Sequence, residues 1–399
     1  MSLTNTLTVN HFGPIKEASV TFSRFVVFVG PQGSGKSTLA KLYSMFMWLE
    51  KRLIRGMVST AHIEARFKKT YCGYHRLTSY FNDDSRIEFS GQAYDFVFSD
   101  DRLSVSKKAD ADESCDVAKV MYIPSERNFL SSLGNLSGLK SLPESLNTFK
   151  EEYSAASEAY PKGYPLPIGN VTFEYDRLNR ISWLRGADYR VRLSDASSGF
   201  QAVLPMILVS QYLTDLVASR HEGENNGLSI EERDKLNREV RAVVGNPDLS
   251  PEVRAAALAA LSSRFVYSGF VNVVEEPEEN LYPDSQKSVL YSLLGLANRE
   301  KGNQLVLTTH SPYIINYMTL AIKAGELIRR GGDRDMVDSV VPVRSCLDSE
   351  EVSIYQLSDG IATRLAMPNG LPTDNNFLNQ ALSETNDLFS SLIDIEDTL

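Results

Sequence analysis

The residues best suited to chemistry stand in one glycine-rich stretch that reads GPQGSGKST. The apolar run 25–29 precedes it and an apolar segment with helical spacing follows it, which predicts a strand, a tight turn and a helix start. Glycines let successive N–H groups point inward, and the helix N-terminus adds the positive end of its dipole, so the turn can hold phosphates. We expect Lys36 to reach the β- and γ-phosphates and the Ser37 hydroxyl to ligate Mg²⁺. The predicted nucleotide-binding residues are Gly30, Pro31, Gln32, Gly33, Ser34, Gly35, Lys36, Ser37 and Thr38.

Two further groups of polar residues follow predicted buried strands. The strand at 270–274 ends in Glu275 and Glu276, and the strand at 305–308 is followed by His310. A carboxylate at a strand end can hold Mg²⁺, and the next one can polarise a water for attack on a γ-phosphate. A histidine there can contact the γ-phosphate or the attacking water. Because parallel strands end at one edge of a sheet, we expect these groups to lie beside the phosphate turn.

The segment SSGFQ, residues 197–201, stands between a strand-like segment and an apolar helix. By itself it is also explained as a simple helix cap. Its position ahead of the acidic strand favours a functional role, with Ser198 and Gly199 as ligand-contacting residues.

Other charged residues have simpler interpretations. Glu278 and Glu279 are expected to be solvated loop charges, and the run 233–241 a solvated helix face. The basic and aromatic segment 61–80 is compatible with nucleic-acid contact, but acidic residues follow closely and favour a solvated helix face. Asp333 and Asp335 follow two glycines with no preceding strand, so we expect a loop and not a metal site.

The elements around these residues predict an α/β fold with a mixed sheet, and the strands after the phosphate turn alternate with helices, which indicates that this part is mainly parallel. Three strand-like segments between 171 and 193 predict an antiparallel β subdomain. We expect one domain spanning 1–399, with a helical hairpin inserted at 213–265, because Ser229 with Glu232 forms a capping box. The remaining expectations are a hairpin at 7–22, strands at 86–89, 94–98, 119–123, 340–343 and 352–357, a mobile loop at 100–116, and helices at 144–159, 283–300 and from 376.

Net charge, cysteine spacing and hydropathy argue against a strongly basic nucleic-acid-binding protein, a disulfide-stabilised protein and a membrane-spanning protein. The 399-residue chain has a formal net charge of −10, so no strongly basic nucleic-acid-binding face is visible in its totals. Its three cysteines form no C-x-x-C pair, which fits a reducing compartment. The most apolar segment, 202–217, is interrupted by polar residues and predicts a buried helix. With no signal-peptide pattern at residues 1–10, we expect a cytoplasmic protein.

Together these motifs resemble the ABC-type ATPases, and more closely the soluble branch that includes the SMC, RecF and OLD-type ATPases. GPQGSGKST is similar to Walker A, SSGFQ to the signature loop, VVEEPEENLYP to Walker B with its D-loop, and TTHSP to the switch histidine. The resemblance implies ATP and Mg²⁺ as ligands and a head-to-tail dimer or higher even oligomer. It implies that Glu276 is the catalytic base, Glu275 the Mg²⁺-side carboxylate and His310 the γ-phosphate switch. Ser198 and Gly199 would then close over ATP held by another subunit.

The sequence departs from the family pattern in three places. Glu275 stands where aspartate is usual, and Phe200 replaces the second signature glycine. No glutamine clearly fills the Q-loop position. Gln92 is one candidate, and the loop at 123–128 is the other.

The resemblance narrows the biological role. The chain has no membrane span, no long coiled coil and no C-x-x-C hook, and no convincing acidic cluster follows His310. Such compact AAA-family ATPases resemble components of bacterial anti-phage systems, whose partner is a nuclease or toxin. The alternatives are a DNA-repair or chromosome-maintenance clamp that binds DNA directly and a slowly hydrolysing ATP-dependent scaffold. A small-molecule kinase is disfavoured because kinases need neither a signature loop nor a switch histidine.

Overall fold

The computed structural model describes residues 5–109, 111, 117–133, 142–219, 228–373 and 377–396. Its centre is an eleven-stranded sheet in the order β6-β5-β4-β1-β2-β15-β14-β3-β13-β12-β7. These strands are β1 (Asn5–Phe12), β2 (Ile15–Phe22), β3 (Phe25–Val29), β4 (Arg86–Ser90), β5 (Tyr94–Ser99), β6 (Arg102–Lys107), β7 (Ala118–Ile123), β12 (Gly269–Glu275), β13 (Gln304–Thr309), β14 (Val352–Ser358) and β15 (Ile361–Arg364).

Strand pairing divides this sheet into two parts. The strands β14, β3, β13, β12 and β7 are parallel neighbours, whereas β6, β5, β4, β1 and β2 form an antiparallel meander. The strands β3 and β12 are buried along their whole length, as expected for strands covered on both faces. The strand β1 alternates buried and half-buried residues, which is typical of a strand with one covered face.

Helices cover both faces of the parallel part. In β3, Phe25, Val27 and Val29 face one apolar core, while Val26 and Phe28 face the other. The first core includes α5, α6, α9 and α10, and the second contains α1. The helices are α1 (Lys36–Ile54), α2 (Thr60–Arg66), α3 (Cys72–Tyr74), α4 (Asn128–Ser132), α5 (Glu144–Ala159), α6 (Ser198–Ala218), α7 (Ile230–Val244), α8 (Pro251–Phe265), α9 (Pro283–Ala297), α10 (Pro312–Arg329), α11 (Arg334–Asp338) and α12 (Phe377–Glu396).

The helix α6 is long and apolar enough to cross a membrane by length and composition alone. However, 67% of its most apolar window is buried inside the molecule. Residues such as Val203, Leu204 and Ile207 are fully buried in the first core. The helix therefore belongs to the core, as the polar interruptions of the sequence predicted.

A smaller antiparallel sheet lies beside the main one. Its strands, β8 (Tyr164–Pro165), β9 (Thr172–Asp176), β10 (Ile181–Arg185) and β11 (Arg190–Arg192), pair in the order β11-β10-β9-β8. The predicted α/β class, with a mixed sheet, an antiparallel β subdomain and a helical hairpin, is confirmed. The hairpin consists of α7 and α8, joined to α6 through residues 220–227, which lie outside the described part of the chain.

Several local expectations need correction. Residues 213–218 belong to α6, so the hairpin begins later than position 213. Within the predicted loop 100–116, residues 102–107 form β6, because Leu103 and Val105 pack inward at alternate positions; residues 110 and 112–116 lie outside the described chain. The predicted strand 340–343 is absent, and a single 3₁₀ turn, Val343–Ser345, begins there. The main sheet as a whole is mixed because β1, β2 and β4–β6 extend it in antiparallel pairing.

Candidate active site

The predicted phosphate turn joins β3 to α1, and α1 begins at Lys36. Gly35 has a φ of 103°, and a Cβ there would lie 2.7 Å from Cγ1 of Ile15, so glycine is required. The Lys36 ammonium donates hydrogen bonds to the carbonyls of Gly30 (2.9 Å) and Pro31 (2.8 Å). Burial lowers the pKa of Lys36 to about 8, although the carboxylates of Glu276, Glu278 and Glu275 act in the opposite direction. The turn thus presents a desolvated cation beside the first, unpaired N–H groups of a helix.

The acidic strand end lies beside this turn because β13 alone separates β12 from β3. Glu275 is only 3% exposed, and its Oε2 accepts a long hydrogen bond of 3.4 Å from the Ser125 N–H. Its Oε1 is buried with no partner at hydrogen-bonding geometry within the described chain, and the Tyr122 hydroxyl lies near this carboxylate. An unpaired buried carboxylate oxygen is what a hard cation would satisfy, so Glu275 together with the Ser37 hydroxyl fits Mg²⁺. No cluster of three or more His, Cys, Asp or Glu suited to a metal occurs among the described residues, so phosphate oxygens and water would complete such a shell.

Glu276, His310 and Lys36 form one chain of contacts. Nδ1 of His310 lies 3.5 Å from the Lys36 ammonium, and Nε2 of His310 lies 3.3 Å from Oε1 of Glu276. The hydrogen bond from His310 lowers the pKa of Glu276, so this carboxylate is ionised at neutral pH. Glu276 has a φ of 43°, an uncommon backbone conformation that its surroundings must hold, at a cost of roughly 1–3 kcal/mol.

Glu278 is not the solvated charge that the sequence suggested. Its Oε1 accepts hydrogen bonds from the Thr309 hydroxyl and from the His310 N–H, both at 2.7 Å. Burial raises the pKa of this carboxyl. Because Glu278 accepts a hydrogen bond from the backbone N–H of His310, it holds the histidine in position between Lys36 and Glu276.

The expectation for Glu279 also needs correction. Its Oε1 accepts a 3.2 Å hydrogen bond from the Asn128 amide, and its Oε2 lies 3.6 Å from the Arg127 guanidinium. Burial raises the pKa of Glu279 as well. The turn after β12 therefore folds inward against the loop that follows β7, because both strands end at the same edge of the sheet.

Arg127 is a site residue that the sequence analysis included only as part of the candidate Q-loop 123–128. Its side chain is completely buried, and it donates to the carbonyls of Glu275 and Glu276, both at 2.6 Å. It also donates to the carbonyl of Ala202 in α6 at 3.0 Å. The signal in the sequence was a polar segment, PSERN, directly after a buried strand.

Gln92, the other Q-loop candidate, lies instead in the turn between β4 and β5, next to the carboxylate of Glu50.

The SSGFQ segment begins α6. Ser198 is exposed at the first helical position, whereas Gly199 is buried. A Cβ at position 199 would lie only 2.9 Å from the Asn280 carbonyl oxygen, so the close packing favours glycine. The Gln201 amide donates to the carbonyls of Leu193, Ser194 and Ala196, which holds the preceding turn in place. Phe200, which stands in the place of the second signature glycine, packs against Gly169.

The described structure thus brings together Lys36, Glu276 and His310, with Glu275 at the adjacent strand end. Within the described chain no hydrogen bond joins Ser198 or Gly199 to residues 30–38, so these two residues are not part of that contact chain. The Asp333 carboxylate caps α11 by accepting hydrogen bonds from the Asp335 and Met336 N–H groups. This contact gives Asp333 a structural role and does not indicate a metal site.

Comparison with known proteins gives one family match and several distant structural likenesses. Residues 269–315 match the AAA ATPase domain family AAA_15. The match covers Glu275, Glu276 and His310, whereas residues 30–38 and Ser198 lie outside it. No curated protein matches the sequence.

Several solved structures are similar to this chain at low sequence identity and low TM-score. The SMC head domain from Thermotoga maritima has 11% sequence identity and a TM-score of 0.35, covering 92% of this chain and 98% of that one. The recombination mediator RecF has 12% identity and a TM-score of 0.33, covering 91% and 98%. A dimeric ATP-binding cassette with ADP and phosphate has 13% identity and a TM-score of 0.27, covering 90% and 97%.

Proposed function

We propose that this chain is an ABC-type ATPase that hydrolyses ATP to ADP and phosphate. The observation that carries the proposal is the contact chain from Lys36 through His310 to Glu276 beside the phosphate turn. A phosphate-binding cation, a histidine and an ionised carboxylate in contact with one another are groups that can support phosphoryl transfer to water.

The residues take distinct roles in this reaction. The Lys36 ammonium and the N–H groups at the start of α1 hold the β- and γ-phosphates. Glu276 accepts a proton from the water that attacks the γ-phosphorus as the bond to the β-phosphate oxygen breaks. His310 orients the Glu276 carboxylate through its 3.3 Å contact and stands within reach of the γ-phosphate. Mg²⁺, held by the Ser37 hydroxyl and Glu275, would neutralise phosphate charge.

We further propose that the complete site forms between two copies of the chain. Ser198 is exposed and Gly199 stands at the N-terminus of a 21-residue helix, where N–H groups can bind a phosphate. These residues make no hydrogen bond to the phosphate turn within the described chain, and we infer that they contact ATP held by a second copy. In a two-fold dimer each copy then gives one phosphate turn and one signature helix.

Mixing two inactive variants tests this arrangement. Lys36→Ala removes the phosphate-binding cation, and Ser198→Arg blocks the exposed signature surface, so each variant alone is expected to lose ATP hydrolysis. A mixed dimer contains one intact site, made from the phosphate turn of the Ser198→Arg copy and the signature of the Lys36→Ala copy. An equimolar mixture should recover about a quarter of wild-type phosphate release, since half of the dimers are mixed and each has one working site.

The controls separate catalysis from assembly. Ser262→Arg introduces the same charge at an exposed serine of α8 and should leave hydrolysis unchanged. Glu276→Gln should bind ATP, lose about 100-fold in rate and hold a stable ATP-bound dimer. Full activity of Ser198→Arg alone would contradict the shared site, and wild-type hydrolysis by Glu276→Gln would contradict the catalytic assignment.

For the biological role we propose control of a separate effector, a nuclease or toxin, in anti-phage defence. The support is the hairpin α7–α8, which projects apolar side chains such as Val244 and Val253, each 52% exposed. Its base is tied to α1, the helix that begins at Lys36, through the 2.6 Å ion pair between Arg55 and Glu232. An exposed surface joined to the nucleotide-binding helix suits a partner-docking element. Direct DNA binding remains the second candidate, and it predicts ATP-dependent, salt-sensitive binding to duplex DNA.

A further inference from the structure

A polar cavity lies between α5, the smaller sheet and the turn before α6, away from the phosphate turn. Its volume is about 380 Å³, at the lower end of the range for small-molecule sites. We propose that it binds a small phosphorylated anion of mononucleotide size, and that this ligand regulates the ATPase. The regulatory part rests on the proposed function, whereas the binding part does not.

Two buried hydroxyls point to a polar ligand. Ser131 and Tyr153 line the cavity and are each 3% exposed. The Tyr153 hydroxyl neighbours the hydroxyls of Ser131, Ser157 and Ser182, but its contacts in the described chain do not reach hydrogen-bonding geometry. Burial raises the pKa of Tyr153 to about 12, so its hydroxyl stays protonated and can donate. Because these mutual contacts are poorly aligned, the oxygens of a ligand could accept better hydrogen bonds from both hydroxyls.

The charges around the cavity select an anion. Lys150, Arg180 and Arg192 line it, and none of the three forms an ion pair with another described residue. Glu158 is the one carboxylate among the lining residues. Three cations and one anion leave an excess of positive charge, and arginine binds phosphate oxygens in a bidentate manner.

The position of the cavity explains how its ligand would act on the ATPase site. Leu193 and Ser194 line the cavity, and their carbonyls accept the hydrogen bonds from Gln201 that hold the signature turn. On the opposite wall, Ser131 belongs to α4, which begins directly after Arg127. A bound anion would therefore contact both the segment that presents Ser198 and the segment that holds the Glu276 backbone.

Calorimetric titration with AMP and with inorganic pyrophosphate tests the site. The full chain carrying Lys36→Ala is used, so that the phosphate turn contributes no binding. We expect at least one probe to bind, and we expect Arg180→Ala with Arg192→Ala to weaken it at least about 10-fold. Tyr153→Phe, which removes only the hydroxyl, should weaken binding by a smaller factor. Arg185→Ala is the matched control, because this exposed arginine of β10 pairs with Glu174 and does not line the cavity.

Two outcomes would overturn the proposal. One is that neither probe binds, and the other is that both probes bind equally well when Arg180 and Arg192 are replaced. If binding follows these expectations, the same probe should change the ATP hydrolysis rate of the wild-type chain but not that of the Arg180→Ala, Arg192→Ala variant. Because the titration requires no ATP hydrolysis, failure of the cavity and failure of the ATPase assignment give different results.

Discussion

At the scale of single residues, the site depends on side chains that hold other groups in position. His310 can contact both Lys36 and Glu276 only if its ring stays between them. The backbone of His310 is held by the Glu278 carboxylate, which also accepts from Thr309. Because Glu278 acts on the site through the backbone of His310, we describe it as a positioning residue.

Replacing Glu278 should therefore affect turnover more than binding. For Glu278→Ala we expect kcat to fall about 10-fold while the Kd for ATP stays near the wild-type value, because Lys36 and the phosphate turn are untouched. Glu278→Gln keeps an acceptor for the same two donors and should recover part of the rate. Steady-state hydrolysis and equilibrium ATP binding measure the two quantities. Equal loss in both variants would show that the negative charge matters and not the position of His310.

At the scale of elements, two fully buried arginines join helices to the catalytic sheet edge and to the hairpin. Arg127 connects the ends of β7 and β12 to α6 through backbone carbonyls. Arg55 connects α1 to α7 and α8 through Glu232 and the Phe265 carbonyl. The two residues have the same burial and similar bonding, but only Arg127 touches the backbone of Glu276.

This pair allows a matched comparison of positioning with stability. Arg127→Met and Arg55→Met should both lower the melting temperature, because each removes a cation that satisfies buried acceptors. Only Arg127→Met should reduce kcat, by about 100-fold, since small displacements of a catalytic group carry such costs. Thermal unfolding and ATP hydrolysis, measured on both variants, distinguish a loss of stability from a loss of catalytic positioning. An equal fall in kcat would contradict the positioning role of Arg127.

The base of the hairpin predicts a pH dependence of stability. Burial disfavours the charge of Glu232, but Lys51 and Arg55 outweigh it and hold the pKa at about 2, below the ordinary 4.5. A lowered carboxyl pKa stabilises the fold above the unfolded value, so the contribution of about 3 kcal/mol is complete above pH 4.5 and lost as the pH falls towards 2. Urea unfolding of wild type and Glu232→Gln should differ most at pH 7, by about half as much at pH 3, and converge at pH 2 and below. A difference that does not change with pH would contradict this interpretation.

At the scale of the whole molecule, the exposed hairpin and the nucleotide site are joined by α1. We expect Val244→Glu with Val253→Glu to abolish co-purification of a nuclease or toxin from the native host while ATP hydrolysis persists. Surface substitution is preferable to deleting the hairpin, because deletion would leave Arg55 buried without Glu232. Leu178→Glu is the control, since Leu178 is 91% exposed in a distant turn. Retained capture by the double variant would exclude the hairpin tip as the docking surface.

The sequence by itself determined the local elements and the residue types of the site. The phosphate turn, the strand ending in Glu275 and Glu276, and His310 after the next strand each carry their signal within about ten residues. For the same reason, the α/β class, the antiparallel subdomain and the helical hairpin followed from periodicity and capping residues. These features depend on residues that are close together in the sequence, so they can be predicted without knowing the tertiary structure.

Only the tertiary structure decided which of these residues meet. Glu278 looked like one more loop charge, and Arg127 like part of a polar turn, because their partners are far away in sequence. Burial gives both residues specific partners, since a carboxylate or guanidinium removed from water must bind particular groups. Ser198 is the opposite case, because the fold leaves it on the surface, and its proposed partner is a second copy of the chain.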